Sequence, residues 1–311
     1  MGLLETEQEI TELEAKLNKL ANESQSEKLK LELTQQIADK SREAYLNLEP
    51  DDKVYLARHP LRPNATFYID ELFSDQLELH GDRLYGDDGS IMGFLATFEN
   101  IPVTIIAQVK GKTLEENIQR NFGMPHPEGY RKALRLAKQA EKFGRPIITF
   151  IDTPGAYPGL GAEERGQASA IAQCLMQFMG ISTPVIAIVI GEGGSGGALA
   201  LSCADHIIML EHSTYSILSP EGFASILWKD SSRASEAAKL MKLTAQDLYQ
   251  FKIIDTIIEE PVGGIHTETD FVSTQLKNVL NKELSKLMAE KKNVLLQNRY
   301  EKFRAMGEDY V

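Results

Sequence analysis

The chain has 311 residues, of which 42% are hydrophobic and 25% charged, a composition typical of a globular protein with one large core. Its 33 basic and 45 acidic residues give a net charge of −12, which disfavours nucleic acid as a partner. No apolar run approaches the ~18 residues of a membrane span, and two cysteines are too few for a disulfide framework, so we expect a cytoplasmic protein that does not bind membranes.

The first 47 residues predict two helices. Apolar residues recur every three or four positions over 10–20 and again over 29–44, with a polar stretch between them. Each stripe is too short for an independent coiled coil. We therefore expect a helical hairpin, residues 1–47, that packs on the main domain, residues 48–311, or on a partner.

Two apolar segments, 91–98 and 101–111, flank a two-residue turn and predict a β-hairpin. From there strand and helix patterns alternate. Strands are predicted at 146–152, 184–190, 206–211, 214–219 and 255–260, and helices at 163–179, 196–204, 221–228, 233–250 and 271–300. This order, with nearly continuous apolar strands, predicts an α/β layered core.

The densest signal is a glycine run, GEGGSGGALA, at residues 191–200. It follows a predicted buried strand and opens a predicted helix, so its unpaired backbone N–H groups point towards one place. A tight crossing needs one or two glycines, whereas five indicate close approach of a flat or charged ligand. The run therefore predicts a binding site built from main-chain donors.

A dinucleotide-binding reading of this run is disfavoured. Gly191, Gly193 and Gly196 fit G-x-G-x-x-G, and Glu211 ends the next strand. However, the stretch between Gly196 and the strand at His206 is shorter than the usual crossover of roughly 10–12 residues.

A serine hydrolase is the alternative hypothesis. Gly193, Ser195 and Gly197 fit G-x-S-x-G, and Asp255 and His266 follow in the hydrolase order. Against it, glycine flanks Ser195 on both sides. No paired-cysteine or clustered-histidine spacing occurs, so no metal is expected on this chain.

Three long segments, 120–167, 189–200 and 213–229, resemble the α subunits of bacterial acetyl-CoA carboxylase carboxyltransferases. The resemblance runs through most of residues 50–262 and includes the N-terminal hairpin. It implies the crotonase-like α/β fold, a spiral of ββα units, here with an N-terminal helical hairpin and a long C-terminal helix.

The resemblance also implies an activity: transfer of a carboxyl group from carboxybiotin to acetyl-CoA, giving malonyl-CoA for fatty acid synthesis. Biotin would be carried by the biotin carboxyl carrier protein and carboxylated by biotin carboxylase with ATP. The implied partner is a zinc-ribbon β subunit in an α2β2 assembly, and the zinc would belong to that subunit.

Site residues follow from the same resemblance. The main-chain N–H groups of Gly196 and Gly197 would stabilise charge on the ureido oxygen. Five further residues would contact carboxybiotin: Gly155, Ala156, Tyr157, Gly193 and Gly194. Apart from the resemblance, helical spacing places Arg131, Arg135 and Lys138 on one predicted helix face. This face is either a solvated stripe or a contact for the phosphates of coenzyme A or for an acidic partner.

Overall fold

A mixed β-sheet forms the centre of the fold. The structure, a computed structural model, describes residues 3–20 and 27–308. Within them eight strands form one sheet. The strands are β1 (Ser74–Glu78), β2 (Ile91–Phe98), β3 (Ile101–Gln108), β4 (Ile147–Thr153), β5 (Val185–Gly194), β6 (His206–Leu210), β7 (Thr214–Ser216) and β8 (Thr256–Ile258).

The helices precede, connect and follow these strands. They are α1 (Leu3–Leu20), α2 (Glu27–Leu46), α3 (Pro50–Ala57), α4 (Ala65–Leu72), α5 (Leu114–Gln119), α6 (Pro127–Phe143), α7 (Leu160–Glu164), α8 (Gln167–Gly180), α9 (Ser195–Ser202), α10 (Pro220–Trp228), α11 (Ala234–Met241), α12 (Ala245–Gln250), α13 (Thr269–Ala289) and α14 (Lys292–Ala305). No helix of the described residues is both long and apolar enough to cross a membrane.

The sheet order is β1-β2-β3-β4-β5-β6-β8. The first three strands are antiparallel, and β3, β4, β5, β6 and β8 run parallel. The predicted hairpin of β2 and β3 is confirmed, and its turn residues Glu99 and Asn100 both have positive φ, as a tight hairpin turn requires. Parallel order brings the carboxyl ends of β3, β4 and β5 to one edge, where α/β proteins place ligands.

Helices cover both faces of the sheet. On one face α4 and α13 pack against alternate residues of the central strands, such as Ile105 and Phe150. On the other, α6, α8 and α9 pack against the neighbouring residues, such as Ile106 and Ile151. Strands buried on both faces explain why their sequences are nearly continuous apolar runs.

The two N-terminal helices are confirmed and lie antiparallel. Glu9 of α1 pairs with Lys40 of α2, while Glu7 accepts hydrogen bonds from Tyr45 of α2 and Tyr55 of α3. These contacts tie the hairpin to the main body. The residues that connect the two helices lie outside the described part of the chain, and the domain boundary after residue 47 stays a prediction.

Two predicted internal helices are each interrupted. The helix predicted at 163–179 is α7 and α8, separated at Gly166, whose φ of 84° ends the first helical path. The helix predicted at 233–250 is α11 and α12, because the chain leaves the helical path at Lys242, whose φ is 53°. The carbonyl of the next residue, Leu243, then accepts a hydrogen bond from the amide of Tyr215 in β7.

The long C-terminal helix predicted at 271–300 is also two helices. Backbone at Glu290 and Lys291 is extended between α13 and α14. The bend lets Arg299 of α14 reach the turn before β6, where its buried guanidinium pairs with Asp205 at 2.6 Å and donates to the carbonyl of Phe178 in α8. Tertiary pairing outweighs helix continuity here, without any proline or glycine in the local sequence.

Candidate active site

The glycine run lies where β5 passes into α9. The strand is longer than predicted: it continues to Gly194, and its last residues pair with β7 rather than β6. Ser195, with φ of 54°, turns the chain directly into α9. A helix cannot satisfy its own first N–H groups, and no side chain of residues 3–20 or 27–308 caps α9. The first-turn N–H groups of Gly196 and Gly197 therefore have no partner within the helix itself.

The loop that follows β4 carries the predicted site residues Gly155, Ala156 and Tyr157, and it packs directly on this run. A Cβ on Gly194 would lie 2.2 Å from the carbonyl oxygen of Pro154, and one on Gly197 would lie 2.7 Å from the amide nitrogen of Ala156. No Cβ tolerates such distances from backbone atoms. The two backbone segments can therefore meet only through glycine, which places Gly155 and Ala156 beside the first turn of α9.

Of the other three glycines, Gly191 is closed by internal packing, because a Cβ there would lie 2.5 Å from Oδ1 of Asp152, and the remaining two differ from each other. A Cβ on Gly193 would lie 2.8 Å from the ring of Tyr215, so this position is also closed by internal packing. At Gly196 the nearest atom, Cγ2 of Ile171, would be 3.5 Å away, an ordinary contact. Among the glycines of the run, Gly196 is thus the one at which the missing side chain leaves open space instead of room for packed atoms.

That open space is an apolar cavity of about 490 Å³. Ser195 and Gly196 form one end of it. The walls come from α9, from β7 and its following loop, and from α10 to α12, and they include Leu199, Tyr215, Ile217, Phe223, Met241 and Leu248. The volume lies within the range of about 300–1,000 Å³ usual for small-molecule sites. Main-chain donors at the end of an apolar cavity suit a ligand with an apolar body and one polar edge.

Charged side chains hold the strand ends in place below the site. Lys110, just after β3, contacts Asp152 of β4 at 2.8 Å and Glu192 of β5 at 2.7 Å. Burial opposes the charge on Lys110, but the two carboxylates outweigh it and raise its pKa. Burial likewise disfavours the charge on Glu192, yet Lys110 and Arg58 hold the pKa of Glu192 below its usual range.

This network was missed from the sequence. A usable signal existed, because each of its three members lies at the carboxyl end of one of three neighbouring parallel strands. All three groups are charged and paired, so none is poised as a general base. Their role is to fix the relative positions of the glycine run and the loop after β4.

Tyr157 is held by its neighbours rather than free in solvent. Its ring stacks on that of His126, with centroids 4.2 Å apart. Its amide donates to the carbonyl of Pro125, and its own carbonyl accepts from Gln167. These contacts fix Tyr157 in the loop after β4, directly next to Gly155 and Ala156.

Comparison with known proteins gives the family. The model of the acetyl co-enzyme A carboxylase carboxyltransferase-like family matches residues 3–307. The chain belongs to this family. It is 54% identical over 311 residues to the acetyl-coenzyme A carboxylase carboxyl transferase subunit alpha of Alkaliphilus oremlandii, covering 98% of each chain. The subunit of the same name from Geobacillus kaustophilus is 52% identical over 310 residues, covering 98% of this chain and 95% of the relative.

Solved structures show the same fold at low sequence identity. A Pseudomonas malonate decarboxylase hetero-tetramer in complex with coenzyme A has a TM-score of 0.57 and 17% identity, covering 69% of this chain and 86% of the other. Transcarboxylase 12S also has a TM-score of 0.57, with 18% identity, covering 70% of this chain. The chain spans only 41% of the transcarboxylase chain. The crotonase-like α/β fold is thereby confirmed.

The predicted basic face of α6 is largely turned inward. Arg131 donates to Asp82 and to the carbonyl of Arg165 and pairs with Glu128, so its guanidinium is fully engaged within the molecule. Arg135 donates to the carbonyls of the loop before β2, and only Lys138 is exposed. Helical spacing correctly placed these residues on one face. In the structure, however, the charge of Arg131 is used in internal contacts and is not free to bind a ligand.

The serine hydrolase alternative is not supported by the family. Nor are its three residues assembled: His266 stacks on His59 with centroids 4.3 Å apart, and Asp255 pairs with Lys302. Across residues 3–20 and 27–308, no three histidine, cysteine, aspartate or glutamate side chains form a group that could hold a metal ion.

Proposed function

We propose that this chain is the α subunit of an acetyl-CoA carboxylase carboxyltransferase. It transfers the carboxyl group of carboxybiotin to acetyl-CoA and forms malonyl-CoA, the precursor of fatty acid synthesis. Membership of the family supports the reaction class. The single structural observation that carries the proposal is the first turn of α9, where Ser195 and Gly196 line an apolar cavity and the first N–H groups have no partner within the helix.

The chemical demand is for anion stabilisation. When the N–CO₂ bond of carboxybiotin breaks, the electron pair stays on biotin, and negative charge develops on the ureido oxygen. Donors fixed in advance at that oxygen stabilise the transition state more than the ground state. The N–H groups of Gly196 and Gly197 supply such donors, and each corresponds to roughly 2.7–4 kcal/mol of barrier reduction.

The remaining steps need no base from this chain. The biotin nitrogen left anionic takes a proton from the methyl group of acetyl-CoA. The resulting enolate carbon attacks the released CO₂, which forms the new C–C bond of malonyl-CoA. Because biotin itself takes the proton, no side chain has to act as a base. This is consistent with the ion pairs that Lys110 forms with Asp152 and Glu192, which leave none of the three groups free for that role.

The cavity fits the ligand class. Biotin has an apolar bicyclic body and aliphatic arm with one polar ureido edge. An apolar cavity of about 490 Å³ can take the body while the polar edge faces Gly196. We place Gly155, Ala156 and Tyr157 beside this edge because Ala156 packs on Gly197. Gly193 and Gly194 act by letting β5, β7 and the loop after β4 approach one another.

Other components complete the reaction. A zinc-ribbon β subunit, assembled with this chain as α2β2, would activate acetyl-CoA. A biotin carboxyl carrier protein would deliver carboxybiotin made by an ATP-dependent biotin carboxylase, all in the cytoplasm. Lys138 and the exposed part of Arg135 are the basic groups of α6 left to contact coenzyme A or a partner.

Co-expression with the cognate β subunit tests the proposal. The pair should co-purify and should decarboxylate malonyl-CoA in the presence of free biotin, the reverse of the physiological reaction. The isolated chain should fold but stay inactive, because acetyl-CoA activation belongs to the partner. Turnover by the pure isolated chain, or no turnover by a stable pair, would contradict the proposal.

A further inference from the structure

Buried polar atoms collect beneath the first turn of α9. Gln108, the last residue of β3, and Tyr130 of α6 are both fully buried. Within the described residues, Oε1 of Gln108 and the hydroxyl of Tyr130 have no hydrogen-bond partner. The Tyr130 hydroxyl would lie 2.8 Å from a Cβ on Gly197, so it abuts this glycine directly.

Gln108 also makes a specific contact with Gly197. Its Nε2 donates to the carbonyl oxygen of Gly197 at 2.7 Å. That carbonyl belongs to the first turn of α9, in the peptide unit directly after the one that contains the N–H of Gly197. The bond therefore fixes the position of the first turn relative to the sheet, and with it the direction of the first-turn N–H groups.

The amide is a costly choice for this position. A buried amide with one end unsatisfied is less favourable for stability than an apolar side chain of the same shape. Residues that break such local rules concentrate at functional sites. An apolar side chain at position 108 could not donate the hydrogen bond that Gln108 donates to the carbonyl of Gly197.

The opposite end of the same helix offers a comparison. Thr149 of β4 is fully buried, and its hydroxyl donates to the carbonyl of Leu201 at 2.8 Å. Both residues thus anchor α9 to the sheet through one side-chain hydrogen bond to a helix carbonyl. Only Gln108 acts at the turn that carries the candidate donors.

We infer that Gln108 is a positioning residue for carboxyl transfer, because its amide holds the carbonyl of Gly197 and thereby orients the first-turn N–H groups towards the ureido oxygen. The inference rests on the proposed function. Loss of the bond should let the first turn shift while the acetyl-CoA site across the subunit interface is unaffected. A displacement of ~1 Å at such donors can cost about 10²-fold in rate.

The test compares Gln108→Met with Thr149→Val in the assembled αβ complex. Each variant removes one buried hydrogen bond to α9 and keeps the side-chain shape. We expect kcat of Gln108→Met to fall by about 10- to 100-fold with the KM for acetyl-CoA within about twofold. Thr149→Val should lose comparable thermal stability yet keep kcat within about twofold.

A third variant separates positioning from folding. In Gln108→Glu the carboxyl group is buried, so it is protonated more readily and can donate in place of the amide. Its kcat should exceed that of Gln108→Met and should decline relative to wild type as the pH rises. Equal kcat values for Gln108→Met and Thr149→Val would overturn the inference.

Failure of both Gln108 variants to assemble, beside an intact Thr149→Val complex, would assign Gln108 to folding and also overturn the inference. The proposed function is judged separately, by the wild-type complex. An inactive wild-type complex would contradict the function itself, whereas an active one with unaffected Gln108 variants contradicts only the positioning role.

Discussion

Gly196 and Gly197 are neighbours in the chain but face different parts of the molecule. Gly197 is buried against the loop after β4, and any side chain there would meet backbone atoms at under 3 Å. Gly196 is half-buried, borders the apolar cavity and has room for a Cβ. Glycine density in a sequence therefore combines two physical demands: close packing of two backbone segments, and open access to main-chain donors.

The largest effect is expected at the packed glycine. Gly197→Val should displace Ala156 and the first turn of α9 together, and should lower the free energy of unfolding by about 1–3 kcal/mol through overpacking. Turnover of the assembled complex should fall by more than about 10³-fold, because the donor and its supporting loop both move. Denaturation and steady-state carboxyl transfer measure the two effects. Normal stability with normal turnover would show that this face is not packed as described.

Gly196→Val should separate function from stability. The added side chain enters the cavity next to the exposed N–H groups, so turnover should fall by about 10²-fold. The free energy of unfolding should change by no more than about 0.5 kcal/mol, because a Cβ at Gly196 meets no atom closer than 3.5 Å. A loss of stability equal to that of Gly197→Val would erase the distinction between the two glycines.

A charge placed in the cavity should weaken substrate docking moderately. Ile217 lines the cavity and is 77% exposed in the isolated chain. Ile217→Lys should raise the KM for biotin by roughly five- to tenfold, since losing ~50 Å² of apolar contact corresponds to about 1 kcal/mol. Ile217→Leu is the matched control and should behave as wild type. Unchanged KM in Ile217→Lys would indicate that the substrate does not enter this cavity.

Acid should loosen the N-terminal hairpin and leave both glycine faces intact. Burial is the main cause of lowered pKa values at His59 and His266, which stack beside Glu7, Arg62 and Glu260. The unfolded chain then binds more protons, so stability is complete above pH ~6.5 and declines as the pH falls below it. Limited proteolysis across this range measures the effect, and His59→Phe should weaken the pH dependence. Stability that rises on acidification would contradict this assignment.

Side-chain chemistry at the edge of the site should matter least. Ser195→Ala and Glu163→Gln should each keep turnover within about twofold, because neither side chain is assigned a bond to the substrate. A fluorophosphonate probe should not label Ser195. Stoichiometric labelling, or an inactive Ser195→Ala complex, would revive nucleophilic catalysis.

The sequence predicted the order of the elements and the two segments that meet at the site. Strands such as β4 are recognisable because they are buried on both faces, and the glycine run because a strand and a helix flank it. Both signals are local, so a single sequence contains them.

Other features depend on tertiary contacts and could not be predicted. The inward turn of Arg131 depends on Asp82, 49 residues away. The break between α13 and α14 depends on the ion pair that Arg299 forms with Asp205. Only the fold shows that Gly197 is closed and Gly196 open, because the atoms that decide it come from the loop after β4.

A structure of the αβ complex with biotin bound tests the central claim most directly. We expect the ureido oxygen to lie about 2.7–3.1 Å from the main-chain nitrogen of Gly196 or Gly197, as an oxyanion donor requires. We also expect the bicyclic ring to occupy the apolar cavity beside Leu199 and Ile217. A ureido oxygen bound by side chains, with the first turn of α9 remote from it, would contradict the account.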